Sequence, residues 1–234
     1  MPLSEKWKQT VNDGLTNKLW DEYDQLIKSE VASYNTRFED TPGFGELDWL
    51  IVKAMLWSES GGPKSAAWTS RPMQIGNKGD PGYSTLKSSK EGADLIMSEE
   101  LKIDIRTKNI NDPHLNIRAG VAYLFVRMVK TDMESVLDLS DKEEHEHTVE
   151  TGDSLSSIAN KVGSTVEILQ QMNPEATVLK LNQKIKYRKA QIQRVIKGWR
   201  EFSYGNISQR YNVGDPDYAE KLKYVMSLFE KLKR

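Results

Sequence analysis

The chain has 234 residues, a formal net charge of −1, a charged fraction of 29% and no cysteine. The absence of cysteine excludes disulfide bonds, thiolate nucleophiles and zinc–thiolate sites, and the near-zero charge argues against nucleic acid or an anionic membrane as a partner. We find neither a membrane-length apolar run of ~18 residues nor the apolar core of a secretory signal, so we expect synthesis in the cytoplasm and no membrane span.

The N-terminal part predicts helices. Apolar residues recur near a period of 3.6 over residues 4–40, and a break follows at 41–45. The next helix carries an apolar stripe that leads to Glu59, and a Gly-Gly-Pro run ends it. Residues 63–90 are rich in Gly, Pro, Ser and Lys and predict a loop or a short hairpin.

Helical patterning returns at 91–101 and after Asp112-Pro113, and the acidic stretch 138–146 predicts a linker. Residues 147–189 then predict a strand, two short helices and a second strand. Helical patterning resumes afterwards, with a cap-then-proline start at Asp215-Pro216. The predicted fold class is α+β, mainly α.

Glu59 is the residue most suited to acid/base chemistry. It lies on the same helical face as the apolar stripe and directly before two glycines. A carboxyl there should be partly desolvated, which raises its pKa and favours general-acid cleavage of a glycosidic bond. The alternative is a glutamate at the end of a helix whose side chain turns to solvent.

Four segments, in this order, resemble motifs of soluble lytic transglycosylases and goose-type lysozymes: Glu59-Ser60-Gly61-Gly62, Pro72-Met73-Gln74-Ile75-Gly76-Asn77, Asn116-Ile117-Arg118-Ala119-Gly120-Val121-Ala122-Tyr123-Leu124 and Tyr211-Asn212-Val213-Gly214. Residues 1–45 carry none of these motifs, and we expect their helices to pack on the domain that the motifs define. The resemblance implies a lysozyme-like catalytic domain at 46–137 and 190–234. It implies that Glu59 is the catalytic acid/base and that Tyr211 assists it. The substrate-binding residues that follow from it are Ser60, Met73, Gln74, Ile75, Asn77, Asn116, Tyr123 and Asn212.

One motif departs from the family, since Arg71-Pro72 stands where Gly-Leu is usual. Arg71 could therefore contact an anionic lactyl or peptide carboxylate, or remain a solvated loop charge. Trp68 lies in the polar loop after Glu59, and we expect it to be exposed and to stack on a sugar face.

Residues 146–189 resemble a LysM domain, a small βααβ module that binds N-acetylglucosamine-containing glycans. The resemblance rests on the opening His147-Thr148-Val149 with Thr151-Gly152-Asp153-Ser154-Leu155, and on Met172-Asn173-Pro174. It implies glycan contacts from Thr151, Gly152, Asp153, Ser154, Asn173, Pro174 and Leu179. Because the Tyr-Asn motif follows this segment, we predict that the module is inserted in the catalytic domain.

These motifs predict cleavage of peptidoglycan between N-acetylmuramic acid and N-acetylglucosamine. A lytic transglycosylase needs Glu59 alone, whereas a hydrolytic muramidase would use Asp80, the best-placed acid after the Met-Gln-Ile segment, as a second carboxylate. A third alternative is a wall-binding protein without catalysis. We expect no cofactor and no metal, because His145 and His147 are too few ligands for a site.

The layout looks like that of wall-degrading proteins associated with type VI secretion. It implies an antibacterial effector that acts in the periplasm or wall of a target cell, or a phage-type lysis component. The expected partners are peptidoglycan and either a periplasmic immunity protein or a component of the secretion apparatus.

Overall fold

A computed structural model describes residues 2–232. Its helices are α1 Glu5–Asn12, α2 Asp24–Phe38, α3 Trp49–Ser60, α4 Pro81–Ser88, α5 Ala93–Ile96, α6 Glu99–Thr107, α7 Pro113–Met128, α8 Leu155–Val162, α9 Val166–Met172, α10 Tyr204–Arg210 and α11 Tyr218–Leu232. Its strands are β1 Val129–Leu137, β2 His145–Thr148, β3 Lys184–Tyr187 and β4 Ala190–Trp199. The α+β, mainly α class is therefore confirmed. No helix within residues 2–232 is both long and apolar enough to cross a membrane.

The chain divides into two compact units. The larger unit contains the residues up to Thr131 and those from Ile196 onward, and the smaller unit is Asp132–Val195. The smaller unit is longer than the segment predicted as a module, because it takes in most of β1 and β4. These two strands pair with each other, and β2 pairs with β3 in a second two-stranded sheet.

Helix α3 is the central helix of the larger unit. Asp48 begins it by accepting a hydrogen bond from the Leu50 N–H, and Gly61 ends it in a left-handed conformation with φ of 70°. Side chains from Val52 to Trp57 are buried on consecutive positions, so α3 is enclosed on most sides rather than along one stripe. This enclosure places Glu59, in the last turn, at the edge of the core.

Enclosure of α3 includes one charged side chain. Lys53 is buried, and its Nζ lies 2.5 Å from Asp21 Oδ1 and 2.8 Å from Asp24 Oδ2. A buried ammonium needs such partners, because an unpaired charge in the core would cost several kcal/mol. This pairing fixes the residues before α2 against α3.

The N-terminal segment is not one continuous helix. It is broken into α1, the 3-10 turns Asp13–Leu15 and Lys18–Asp21, and α2. Asp13 accepts hydrogen bonds from Asn17 and from the Trp20 indole, which holds the break in place. Gly14 is required there, since a Cβ would lie 2.2 Å from the Trp57 ring.

Three predictions of local structure are wrong. Residues 63–90 contain helix α4, which the Asp80 cap and Pro81 at its first position begin. The linker prediction for 138–146 overlooked that strand β2 begins at His145. The helical patterning expected directly after 189 is strand β4, which pairs with β1. Strand β4 pairs with a strand more than fifty positions away in the chain, and a local sequence pattern does not predict such a pairing.

In the smaller unit, β2, α8, α9 and β3 follow the predicted order. The β2–β3 pair is antiparallel, with His147 opposite Ile185 and Thr148 opposite Lys184. Its small core contains Val149, Ile158, Ala159, Leu169, Ala176 and Ile185. Ser154 begins α8 with a capping box that includes Ser157.

Candidate functional site

An open cleft of about 570 Å³ lies in the larger unit. Its lining brings together residues that are separated by up to 155 positions in the chain. The lining residues are Glu59, Met73, Gln74, Ile75, Asn77, Lys78, Gly79, Asp80, Pro81, Glu91, Tyr123, Arg127, Arg210, Tyr211, Asn212, Val213 and Gly214. Most of the residues predicted to act on substrate are therefore at one place.

Glu59 lies in the wall of this cleft. Its Oε1 accepts a hydrogen bond of 3.1 Å from the Asn212 side-chain amide. Burial raises the pKa of the Glu59 carboxyl above its ordinary value; the Tyr218 hydroxyl and the Asn212 amide oppose the rise, as does Lys221, whereas Asp215 adds to it. Desolvation is the largest cause, so the carboxyl keeps its proton to higher pH than a free glutamate.

Two tyrosines lie close to Glu59, the buried Tyr218 and the partly buried Tyr211. Burial and the Glu59 charge raise the pKa of both Tyr211 and Tyr218 well above 10.0, so both remain neutral phenols. Tyr211 donates its hydroxyl to the Met73 carbonyl at 3.2 Å rather than to Glu59. Tyr218 is beside Glu59, but its hydroxyl does not meet the geometry of a formed hydrogen bond with any described residue.

Tyr218 is a site residue that the sequence motifs missed. It lies among the buried apolar residues of α11, and nothing in the sequence of that helix separates a core tyrosine from one that faces a carboxyl. An unused hydroxyl beside Glu59 can donate to the carboxylate when Glu59 loses its proton.

The raised pKa of Glu59 predicts a pH-dependent stability. A group whose pKa is higher in the folded state stabilises the fold fully below its unfolded pKa, here 4.5, and that stabilisation is lost as the pH rises through the folded value. Glu59→Gln should therefore unfold at about the same temperature as wild type near pH 4, and at a higher temperature near pH 8. Thermal unfolding at both pH values measures this, and an equal difference at both would contradict it.

Asn116 and Gly120 of α7 hold the floor of the cleft. The buried Asn116 amide accepts from the Met73 N–H at 2.9 Å and donates to the Ile75 carbonyl at 2.8 Å. A Cβ at Gly120 would lie 2.6 Å from the Met73 Cβ, so glycine allows this close approach. The prediction that Asn116 binds substrate is wrong, because its side chain is fully enclosed and its bonds serve the protein backbone.

The rest of the floor is a strained loop. Gln74 has φ of 57°, a conformation that non-glycine residues adopt at a cost of order 1–3 kcal/mol. Its side chain stabilises this turn, since it donates to the Arg71 carbonyl and accepts from the Asn77 amide at 2.5 Å. Tyr123 closes the floor by packing on Tyr211, with ring centroids 5.5 Å apart.

Asp80 lines the cleft, but its carboxylate is occupied. It accepts hydrogen bonds from the N–H groups of Gly76, Gly82 and Tyr83 at 2.7, 2.8 and 3.2 Å. It therefore joins the Met73–Gly76 segment to the start of α4. Its observed role is that of a helix cap.

Two further predictions are corrected by burial. Trp68 is 1% exposed and donates its indole N–H to Glu22, because the polar loop folds its ring inward against Tyr23 and Trp20. It offers no face to a sugar. The Ser60 hydroxyl is buried and binds the Leu56 carbonyl and the Gly62 N–H, so it shapes the helix end instead of contacting substrate.

In the smaller unit, the two predicted glycan-binding loops leave the same end of the β2–β3 pair. Val149 extends the pairing by hydrogen bonds with Asn182 and Gln183, and the turn after it exposes Thr151 and Gly152. The loop between α9 and β3 contains Leu181, which is 62% exposed. The loops are thus neighbours at one surface.

Two residues of these loops have structural roles. The Lys161 ammonium, the Glu150 N–H and His147 hold the pKa of Asp153 well below its usual range, and its side chain is almost fully enclosed. Asn173 is buried and its amide bonds the Lys186 backbone at 2.7 and 2.9 Å. The prediction that these two side chains contact glycan is therefore wrong.

The remaining surface of the two loops suits a sugar. Pro174 is exposed and Leu179 is half-buried, and the sequence analysis missed two exposed apolar neighbours, Val178 and Leu181. Apolar side chains next to exposed backbone can pack on the apolar face of a pyranose ring. Their position in the loop that follows Pro174 is the sequence signal that could have identified them.

Comparison with known proteins identifies a domain within the smaller unit. Residues 147–186 match the LysM domain family. The chain therefore contains a LysM domain, which indicates binding to peptidoglycan or a related glycan, and this part of the sequence prediction is confirmed. No curated protein and no solved structure matches the chain. The lysozyme-like resemblance of the larger unit stays a prediction.

Proposed function

We propose that the protein cleaves the glycan strands of peptidoglycan between N-acetylmuramic acid and N-acetylglucosamine, as a lytic transglycosylase with Glu59 as its acid/base. The supporting observation is a carboxyl with a raised pKa in the wall of an open cleft. The LysM domain in the same chain supports the choice of substrate, because a tethered binding module raises the effective concentration of its ligand.

The proposed reaction uses one carboxyl twice. Protonated Glu59 donates its proton to the glycosidic oxygen, and the bond from C1 of N-acetylmuramic acid to that oxygen breaks. The Glu59 carboxylate then removes the proton from the C6 hydroxyl of the same sugar, whose oxygen bonds C1 and gives a 1,6-anhydro ring. Asn212 and Tyr218 are placed to stabilise the carboxylate between these steps.

The cleft favours this chemistry over hydrolysis because its other carboxylates are occupied. Three backbone N–H groups hold Asp80, and Arg127 lies 2.5 Å from Glu91. A second carboxylate that activates water must be free to accept a proton from it. Of the three carboxyl groups that line the described cleft, Glu59 alone has neither a salt-bridge partner nor a backbone donor.

Asp80→Asn tests the role of that second carboxylate. We expect cleavage per folded molecule to stay within about threefold of wild type, because asparagine still caps a helix. The free energy of unfolding should fall by about 1–2 kcal/mol, because an amide nitrogen replaces one of the two Asp80 oxygens that accept hydrogen bonds from the backbone. Rates of release from purified peptidoglycan, normalised to folded protein, measure the effect. A loss of about 100-fold or more would restore Asp80 to the mechanism.

A second candidate function is wall binding without cleavage, which the LysM match alone favours. Mass spectrometry of the products released from peptidoglycan decides between the alternatives. Ends of 1,6-anhydro-N-acetylmuramic acid support the transglycosylase. Reducing ends, about 20 mass units heavier after hydration and reduction, indicate a muramidase. Sacculi that bind the protein but release nothing soluble leave a wall-binding protein.

A further inference from the structure

A second, smaller pocket adjoins the cleft on the larger unit. It has a volume of about 290 Å³, and Glu91, Arg127 and Arg210 line both cavities. Lys130 and Arg200 line only the smaller one. We call it the basic pocket. Because the two cavities share three side chains, a group attached to a molecule in the cleft can reach it.

The charges of the basic pocket do not balance. Four cations and one carboxylate line it, an excess of three positive charges. Glu91 pairs with Arg127, whereas Arg200 donates to the carbonyl of Val129 at 2.8 Å, a neutral partner. Burial lowers the pKa of Arg200, and the charges of Arg210 and Arg127 lower it further, as expected where cations outnumber their counter-anions.

Arg210 supplies the observation that points to a ligand. Its Nε is buried and has no hydrogen-bond partner among the described residues. A buried donor of a charged group that makes no hydrogen bond destabilises the free protein, so Arg210 retains an unsatisfied hydrogen-bonding group. The planar fork of a guanidinium fits the two oxygens of a carboxylate.

We propose that the basic pocket binds carboxylates of the stem peptides that N-acetylmuramic acid carries, so that the substrate is peptide-bearing glycan rather than bare glycan. The choice of ligand rests on the proposed function, because a strand in the cleft brings its peptide to this pocket. Phosphate groups share the same anion chemistry, and the experiment therefore includes inorganic phosphate as a probe.

Direct binding tests the pocket without requiring catalysis. In full-length Glu59→Gln protein, calorimetric titration with a muramyl peptide that has free carboxylates is compared with titration of the same peptide amidated. We expect amidation to weaken binding at least tenfold, and Lys130→Glu to do the same to the free acid. Lys18→Glu is the matched control, an exposed lysine that lines neither cavity, and it should leave the affinity unchanged.

Two outcomes of this titration would overturn the proposal. Equal affinity for the free and amidated peptides would remove the carboxylates from recognition. Inorganic phosphate that binds more tightly than the peptide would reassign the pocket to a phosphate ligand. Arg210→Lys provides a second variant, which keeps the charge but lacks the fork, and it should weaken peptide binding as well.

Kinetics separates this proposal from the proposed function. We expect kcat/KM of wild type to be at least tenfold higher on peptide-bearing strands than on strands from which an amidase has removed the peptides, and Lys130→Glu to lower that ratio. If wild type cleaves neither substrate but still binds the peptide, the proposed function fails and the pocket stands. If wild type cleaves both substrates equally and binds no peptide, the proposal for the basic pocket fails and the proposed function stands.

Discussion

Glu59→Gln should reduce the release of muropeptides from purified peptidoglycan by about 10²–10⁴-fold, which is the usual worth of a general acid/base. Glutamine keeps the size of the side chain and its contact with Asn212, but it has no acidic proton to give to the leaving oxygen. Because one carboxyl is proposed to serve both steps, neither the bond cleavage nor the ring closure should survive. Quantitative mass spectrometry of soluble products measures the effect.

Three controls make this result specific. Glu46→Gln, an identical exchange on an exposed loop before α3, should cleave as wild type does. Tryptophan fluorescence should show that Glu59→Gln is folded, and sedimentation with sacculi should show that it still binds wall through the LysM domain. A Glu59→Gln protein that releases products at the wild-type rate would refute the proposed mechanism outright.

The position of Glu59 combines two opposing demands. Burial that raises its pKa also makes the ionised form unfavourable in the folded state. The fold therefore gives up stability at neutral pH to keep a proton available, and the same substitution that removes activity should stabilise the protein there. Substitution of a residue that serves packing alone would not both remove activity and raise stability at neutral pH.

Sequence patterns predicted the elements whose causes are local. Helices α3 and α7 begin at aspartate caps, and α3 ends at a glycine with positive φ, as their residues indicate. The order strand, helix, helix, strand in the LysM domain follows from short-range turns and caps. Strands β1 and β4 were missed because each is stabilised by the other across the whole inserted segment.

The candidate site was predictable in most of its members but not in their roles. Linear motifs placed Glu59, Tyr211 and Asn212 at one cleft, although about 150 positions separate the first from the other two. A motif does not say which way a side chain points, and so Trp68 was expected at the surface. Tyr218 was missed for the same reason, since its hydroxyl matters only through the three-dimensional approach of α11 to Glu59.

Asn116→Ala should have the largest effect on folding, a loss of about 3–5 kcal/mol in the free energy of unfolding of the larger unit. The substitution leaves the Met73 N–H and the carbonyls of Ile75 and Ile110 without their amide partner in the core, and it opens a cavity. The floor of the cleft should loosen first, because all three groups belong to it or adjoin it. The six tryptophans all lie in the larger unit, so denaturant unfolding followed by their fluorescence reports on that unit alone.

Asn111→Ala is the matched control for this experiment. It removes the same amide from an exposed position five residues earlier in the chain, and it should change stability by less than about 0.5 kcal/mol. Similar small losses for both variants would mean that the Met73–Ile75 backbone keeps its conformation without the Asn116 amide. Other contacts would then hold Gln74 in its left-handed conformation. A large loss for Asn116→Ala alone would assign the shape of the cleft floor to one buried amide, which binds no substrate and yet determines where substrate can lie.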